Sequence, residues 1–296
     1  MSFATIDDLQ RALAAHQYVA DRPLTTAIFL ALKLGKPLLL EGEAGVGKTE
    51  IAKTVARMQG RRLIRLQCYE GLDVNTTIYE WNYTRQMLHI RALEAGRGEA
   101  GQEAMREIFG PEFLIKRPLL QAIEPHDQPP VLLIDEIDRA DEEFEAFLLE
   151  LLSDWQISIP EIGTIRAEHP PVVLITSNRT REVHDALKRR CLFYWVDYPS
   201  LEKELEIVRA RVPGAGERLS RQVVGFVQEL RKLDLYKQPG VAETLDWVAA
   251  LAALDAQSLT DAVVEDTLGA ILKYQDDVAQ VRGKVVRSLL EKSAPL

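Results

Sequence analysis

The segment Gly42–Thr49 reads GEAGVGKT and fits the phosphate-binding pattern GxxxxGK[ST]. Glycines at these positions let backbone N–H groups surround a phosphate, and the start of a following helix adds the positive end of its dipole. Lys48 would place its charge on the β- and γ-phosphates, and Thr49 would offer a hydroxyl to Mg²⁺. We call this segment the P-loop. Its predicted nucleotide-binding residues are Gly42, Glu43, Ala44, Gly45, Val46, Gly47, Lys48 and Thr49.

Two carboxylates, Asp135 and Glu136, come at the end of the apolar run VLLID. Asp135 would hold Mg²⁺ through water, and Glu136 would orient and deprotonate an attacking water. Acidic residues often end strands, so the pair alone is a weak signal. After a P-loop, at a spacing that suits one sheet, the pair predicts hydrolysis of a nucleoside triphosphate. A carboxylate base favours turnover over nucleotide sensing alone.

An asparagine and two arginines extend this set of candidates. Asn178 ends the run VVLITSN, where its amide could bind the attacking water or the γ-phosphate, although a turn asparagine is the alternative. Arg189 and Arg190 follow a short predicted helix at 183–188. Either arginine could stabilise transition-state charge on a neighbouring subunit's γ-phosphate, and a solvated basic pair is the alternative. The order of P-loop, carboxylates, asparagine and arginine favours the catalytic interpretation.

Short apolar runs precede or follow each of these candidates. Near-continuous apolar runs of this length indicate strands buried on both faces, as in the parallel sheet of an α/β domain. Helical patterns separate them, among them 48–60 and 141–152, the second with Asp141 as its predicted N-cap. A β-hairpin is predicted at 157–166. The predicted strands are 36–41, 63–67, 131–135, 172–176 and 192–196.

Only helical patterns follow Pro199, which predicts an α/β domain at 1–199 and an all-helical domain at 200–296. The stretch Tyr79–Ile123 is less regular, and its glycine-rich part at 96–101 indicates a mobile loop. The predicted helices of the second domain are 201–211, 217–233, 241–254, 260–274 and 278–291.

Composition narrows the class of protein. Apolar residues make up 47% of the 296, enough for a packed core, and the net charge of −9 argues against a protein that coats nucleic acid. The two cysteines and five histidines show no metal-ligand spacing. With no signal-like or membrane-length apolar run, we expect a soluble cytoplasmic protein and leave peripheral docking on an inner-membrane complex open.

The motif order, together with the helical C-terminal domain, resembles the AAA+ ATPases, and more narrowly their MoxR branch. The segments that carry the resemblance are LLLEGEAGVGKTEIAK, VLLIDEIDRADEEFEAFLLELL, VLITSN and ALKRRCLFYWVDYP. The forms of RRCLFYWVDYP and GVAETLDW are closer to the CoxD-like group. The resemblance implies a parallel five-stranded sheet, a helical lid and an insertion near the second helix, about 79–123.

The resemblance also implies roles for particular residues. Lys48 and Thr49 match the Walker A motif, Asp135 and Glu136 match Walker B, and Asn178 matches sensor 1. Arg190 is the better match to the arginine finger, and Arg189 is the second candidate. The sequence departs from many AAA+ proteins at 240–244, which contains no sensor 2 arginine; Lys237 is one alternative source of a lid contact.

The function that the resemblance implies is an ATP- and Mg²⁺-dependent chaperone that matures a metal-cofactor enzyme, of the molybdenum hydroxylase or carbon monoxide dehydrogenase type. It implies a homo-oligomeric, hexameric ring with a protein client and a von Willebrand factor A domain partner. A nucleic-acid motor and a nucleotide-dependent regulator without turnover are the alternatives. The hairpin lacks aromatic residues and has one arginine, which disfavours the motor. The absence of an NKxD motif favours ATP over GTP.

Overall fold

A computed structural model describes residues 3–96 and 108–293. After Gly96, the predicted mobile loop lies outside the described residues. The strands are β1 (Leu38–Gly42), β2 (Leu63–Gln67), β3 (Tyr79–Trp81), β4 (Leu114–Lys116), β5 (Val131–Asp135), β6 (Gln156–Ile159), β7 (Gly163–Arg166), β8 (Val172–Ser177) and β9 (Leu192–Val196). Five of these strands form one sheet, in the order β2–β5–β8–β1–β9.

The sheet is parallel, and its central strands are mostly apolar because both of their faces are covered. All five residues of β1 and all five of β5 are buried. In the register of the sheet, Val131 of β5 lies opposite Leu63 of β2 and Val172 of β8. The five predicted strands are therefore confirmed, and the predicted α/β sheet with them.

The helix Glu142–Asp154 confirms the prediction for 141–152. The Asp141 carboxylate accepts the backbone N–H of Phe144 at 2.9 Å, as an N-cap should. The apolar face that the sequence pattern predicts is buried, with Phe144 and Leu148 fully inaccessible. The helix ends where Trp155 takes a left-handed conformation, with φ of 51°. The helix after the P-loop, Lys48–Gln59, also matches its prediction.

Two small antiparallel pairs accompany the sheet. Strands β6 and β7 form the predicted hairpin, in which Ser158 lies opposite Thr164. Strands β3 and β4 pair within the stretch 79–123, which the sequence left irregular. The described helices of that stretch are Val74–Ile78, which leads into it, Tyr83–Gly96 and Pro118–Ile123.

The chain forms two compact units. The first contains Thr26–Leu40 and Val55–Tyr194, and the second contains Phe3–Thr25, Glu41–Thr54 and Trp195–Leu296. The domain boundary near Pro199 stays a prediction. In the first unit, a core of sheet and helix residues surrounds Leu132 and Phe144.

The second unit has a helical core in which Phe226 and Trp247 pack edge to face, with ring centroids 5.4 Å apart. One predicted helix, 278–291, is wrong: the chain breaks at Gly283, whose φ of 73° is left-handed, so two helices form. The sequence patterns also missed the helices Ile6–Ala15 and Arg22–Leu34. The other helices are Leu201–Arg211, Glu217–Leu230, Val241–Ala253, Asp261–Ile271, Gln275–Val281 and Lys284–Ser293.

Within residues 3–96 and 108–293, no helix has the length and apolar character needed to cross a membrane.

The backbone at Gly42, the last residue of β1, packs closely against the backbone at Val196. A Cβ on Gly42 would lie 2.1 Å from the carbonyl oxygen of Val196. We expect Gly42→Ala to lower the free energy of unfolding by about 1–3 kcal/mol, because the backbone must move apart. Thermal denaturation measures this, with Gly269→Ala as the control, since a Cβ at Gly269 meets nothing within 4 Å. Equal melting temperatures for the two variants would contradict the close packing.

Candidate functional site

The P-loop leaves the end of β1 and enters the helix Lys48–Gln59. Gly45 and Gly47 have φ of 79° and 96°, a region that favours glycine. Lys48 is buried, and its Nζ donates to the carbonyl oxygens of Gly42 and Glu43, at 2.6 Å each. The loop therefore has the residues that a phosphate needs: glycines in unusual conformations, a helix start, and a positive charge held beside them.

At the end of β5, the buried carboxylate of Asp135 is held by directional donors. Arg65 donates its Nε–H to Asp135 Oδ2 at 2.9 Å, and the Thr176 hydroxyl donates to Oδ1 at 2.5 Å. The same hydroxyl accepts the backbone N–H of Glu136 at 2.9 Å. Thr176 therefore holds both the carboxylate of Asp135 and the backbone of Glu136. An anionic oxygen held in this way is the kind of ligand that Mg²⁺ prefers.

Glu136 adopts a left-handed conformation, with φ of 57°. Such values are uncommon in residues other than glycine, and they concentrate at functional sites. Its side chain is 33% exposed, and its Oε2 lies 2.9 Å from Nε of Arg139. The carboxylate that the sequence assigned as the base is therefore accessible to water.

The turn that contains Asn178 is held by Asp138, which is buried. One oxygen of Asp138 accepts the backbone N–H of Asn178 at 3.1 Å, and the other accepts the N–H and the hydroxyl of Thr180 at 2.8 and 2.7 Å. Burial by itself raises the pKa of Asp138, but the hydrogen bonds from Thr180 and Asn178 together outweigh it and lower the pKa below its ordinary value. The structure thus ties Asn178, after β8, to the segment that follows Glu136.

The two candidate arginines lie in the helix Asp185–Arg190, and both are exposed. This corrects the predicted helix 183–188: the helix starts later because the side chain of His184 accepts the N–H of Ala186. Glu145, a buried carboxylate, accepts the backbone N–H of His184 at 2.7 Å. The start of the helix is therefore fixed, while Arg189 and Arg190 remain available at its other end.

Sequence reasoning missed the residues that position the candidates: Arg65, Asp138, Arg139 and Thr176. A signal existed for Asp138 and Thr176, because both lie within the motifs DEIDRA and VLITSN. Arg65 had no such signal, since its partner Asp135 is 70 residues away in sequence.

The Cys68 thiol is not a candidate nucleophile. Burial raises the pKa of this thiol to about 12, so it stays protonated at neutral pH.

Comparison with known proteins identifies the family of this chain and several similar proteins. The family model for the AAA domain, dynein-related subfamily, matches residues 37–191, more than half of the sequence. The gas vesicle ATPase GvpN of Haloferax mediterranei is 26% identical over 265 residues, covering 86% of this chain and 74% of that protein. GvpN1 of Halobacterium salinarum is 24% identical over 270 residues, covering 86% and 74%. The Thermotoga maritima RuvB Holliday junction branch migration motor has a TM-score of 0.47 at 16% identity, covering 94% of this chain and 74% of that one.

Asp138 provides a pH-dependent test of the turn geometry. Asp138→Ala should lower the free energy of unfolding by about 1–3 kcal/mol, because it leaves the partly buried backbone N–H groups of Asn178 and Thr180 without their acceptor. A depressed pKa in the folded state means that this carboxylate stabilises the fold above its unfolded pKa, and that the benefit is lost as pH falls through the folded value.

Denaturant titrations from pH 7 down to pH 3 measure this effect. The difference in free energy of unfolding between wild type and Asp138→Ala should narrow as the solution is acidified. Asp246→Ala, at an exposed helix position, is the matched control. A difference between wild type and Asp138→Ala that stays constant over this range would contradict the assignment.

Proposed function

The chain belongs to the dynein-related subfamily of AAA domains, and on that premise we propose that it uses ATP hydrolysis to remodel a client protein. As an AAA ATPase, the protein hydrolyses ATP with Mg²⁺. The observation that carries the proposed catalytic centre is the pair of carboxylates at the end of β5. Asp135 is buried and fixed, whereas the Glu136 carboxylate is accessible and pairs with the exposed Arg139.

We propose that the P-loop backbone N–H groups and Lys48 bind the phosphates of ATP. Thr49 and Asp135 would hold Mg²⁺, which would supply charge that neutralises the transferred phosphoryl group. Glu136 accepts a proton from water as the water oxygen attacks the γ-phosphorus, and ADP leaves when the bond to the bridging oxygen breaks.

A ring would complete this site. We propose that Asn178 orients the attacking water and that Arg190, with Arg189 as the second candidate, stabilises charge on the γ-phosphate in a neighbouring subunit. What supports this proposal is that both arginines are exposed on a helix whose start is fixed by Glu145. The number of subunits that we propose, six, rests on the resemblance to MoxR proteins.

The client is proposed from the same resemblance. The CoxD-like motifs favour maturation of a metal-cofactor enzyme, such as a molybdenum hydroxylase or carbon monoxide dehydrogenase, beside a partner with a von Willebrand factor A domain. A site in the cytoplasm, with peripheral contact to an inner-membrane complex left open, belongs to the same proposal.

The exposed face of the β6–β7 hairpin supports a protein client over nucleic acid. Its exposed residues include Ser158, Glu161, Thr164 and Arg166, which together contain one charge of each sign and no aromatic ring. Single-stranded nucleic acid needs a positive groove and stacking side chains, and this hairpin provides neither. A regulator without turnover is disfavoured because the accessible Glu136 would then have no task.

The first test separates binding from hydrolysis. Glu136→Gln should retain ATP binding and lower turnover by about 10²–10⁴-fold, because the amide cannot accept the proton of water. Lys48→Ala should weaken both. Steady-state phosphate release and equilibrium titration with a fluorescent ATP analogue measure the two quantities. Turnover by Glu136→Gln equal to that of wild type would remove Glu136 from the role of base.

The second test concerns the neighbouring subunit. Arg190→Ala should lower turnover by about 10³-fold or more in the assembled protein without abolishing ATP binding. Mixing Arg190→Ala with Lys48→Ala subunits should restore activity, because a P-loop from one and an arginine from the other can meet at a shared interface. Arg189→Ala is the matched control. If turnover per subunit is independent of protein concentration and the protein stays monomeric, the ring proposal is wrong.

A further inference from the structure

The segment 239–244, which connects into the helix Val241–Ala253, packs directly against the P-loop. The backbone N–H of Ala242 donates to the carbonyl oxygen of Gly45 at 3.1 Å. A Cβ on Gly240 would lie 2.8 Å from Cα of Gly45 and 2.9 Å from the carbonyl oxygen of Ala44. A Cβ on Gly45 would in turn lie 3.2 Å from Cα of Gly240. Glycine is therefore needed on both sides of this contact, and the two backbones touch.

The other side of the same segment is held by Arg231. Its Nε–H donates to the carbonyl oxygen of Pro239 at 2.8 Å, directly before Gly240. Its two terminal nitrogens donate to the two oxygens of Glu204, each at 2.7 Å. The Thr244 hydroxyl donates to Glu204 at 2.7 Å as well. Both ends of the segment, at Pro239 and Thr244, are thus anchored to one ion pair.

This ion pair lies in the interior of the second unit. Glu204 is 0% exposed and Arg231 is 9% exposed. The guanidinium lies over the ring of Tyr198, 4.8 Å from its centroid. Burial, followed by the nearby charge of Glu43, raises the pKa of Tyr198 to about 12, whereas Arg231 opposes that rise. The pair therefore lies in a region that also contains the acidic side chain of the P-loop.

Stability alone is a weak reason for such a pair. Desolvating two charges is costly, and apolar residues of similar volume often stabilise a protein as well or better. What an apolar side chain cannot supply is direction. The planar fork of Arg231 binds the two oxygens of Glu204 and the Pro239 carbonyl in fixed geometry, and a lysine cannot reproduce that geometry.

We propose that Arg231 is a positioning residue for nucleotide binding: with Glu204, it holds the segment 239–244 against Gly45 and so fixes the loop that receives the phosphates. The inference rests on the proposed function of the P-loop. A loop that is held before the nucleotide arrives loses less conformational freedom on binding, which increases affinity. Since 240–244 has no arginine, this contact acts through the loop backbone and not on the γ-phosphate.

A contact to the loop backbone and a contact to the γ-phosphate should affect the binding of ATP and ADP differently. A residue that contacts the γ-phosphate affects ATP and leaves ADP unchanged, whereas a residue that holds the loop affects both equally. Arg231→Lys and Gly240→Ala should each raise the Kd for ADP and for a non-hydrolysable ATP analogue by the same factor, about tenfold.

The experiment uses fluorescence titrations of the full chain with Mg²⁺ and each nucleotide. Hydrogen exchange at the amides of Gly45–Thr49 is measured without nucleotide, and it should be faster in both variants. Val248→Ala removes apolar volume from the same helical core and controls for loss of stability, because Val248 is fully buried. Gly269→Ala controls for the addition of a methyl group to glycine.

The outcomes separate the inference from the function on which it rests. Equal rises in Kd in Arg231→Lys and in an equally destabilised Val248→Ala would reduce Arg231 to a structural role and overturn the proposal. Unchanged Kd values and unchanged hydrogen exchange in a folded Gly240→Ala variant would also overturn the proposal. This variant leaves the ion pair intact, so it remains informative if Arg231→Lys does not fold. If wild type binds no nucleotide, the proposed function fails, whereas the exchange rates still test whether Arg231 holds the loop.

Discussion

The P-loop backbone approaches its neighbours more closely than any side chain would permit, and the arrangement of the second unit depends on this steric constraint. Gly42 lies against the carbonyl of Val196, and Gly45 lies against Gly240. A loop that presents its N–H groups to a phosphate must keep that surface free of Cβ atoms. The same lack of side chains lets the segment 239–244 make a backbone hydrogen bond to the loop. The lack of side chains that phosphate binding requires thus also creates the surface that the segment 239–244 contacts.

In both units, buried carboxylates are satisfied by hydrogen-bond donors from other parts of the chain. A buried charge is tolerated when directional donors satisfy its oxygens, since an isolated one would be very costly. Such carboxylates join segments that are distant in sequence. Examples are Asp135, Asp138 and Glu145 in the first unit, and Glu204 and Asp277 in the second.

The parts of the fold that the sequence predicted are those governed by local or periodic signals. Apolar runs predicted the five strands, and Asp141 marked the start of its helix. The prediction of one helix at 278–291 was wrong because the hydrophobic period continues across Gly283, whose left-handed backbone breaks the helix. The shift of the short helix to Asp185 had a similar cause, because a side-chain cap by His184 decided its start.

The sequence by itself determined that this protein is an ATPase, through an order of motifs in which it predicts a phosphate-binding loop and a carboxylate pair. These are fixed by residue type and spacing within single segments, where the physical requirement is local. Tertiary structure decided which residues hold that chemistry in place. Thr176 bridges Asp135 and Glu136, Asp138 fixes the turn at Asn178, and Arg231 reaches the P-loop through Pro239 and Gly240. Each of these contacts joins residues from separate elements, so it exists only after the chain has folded and buried the charges that must be paired.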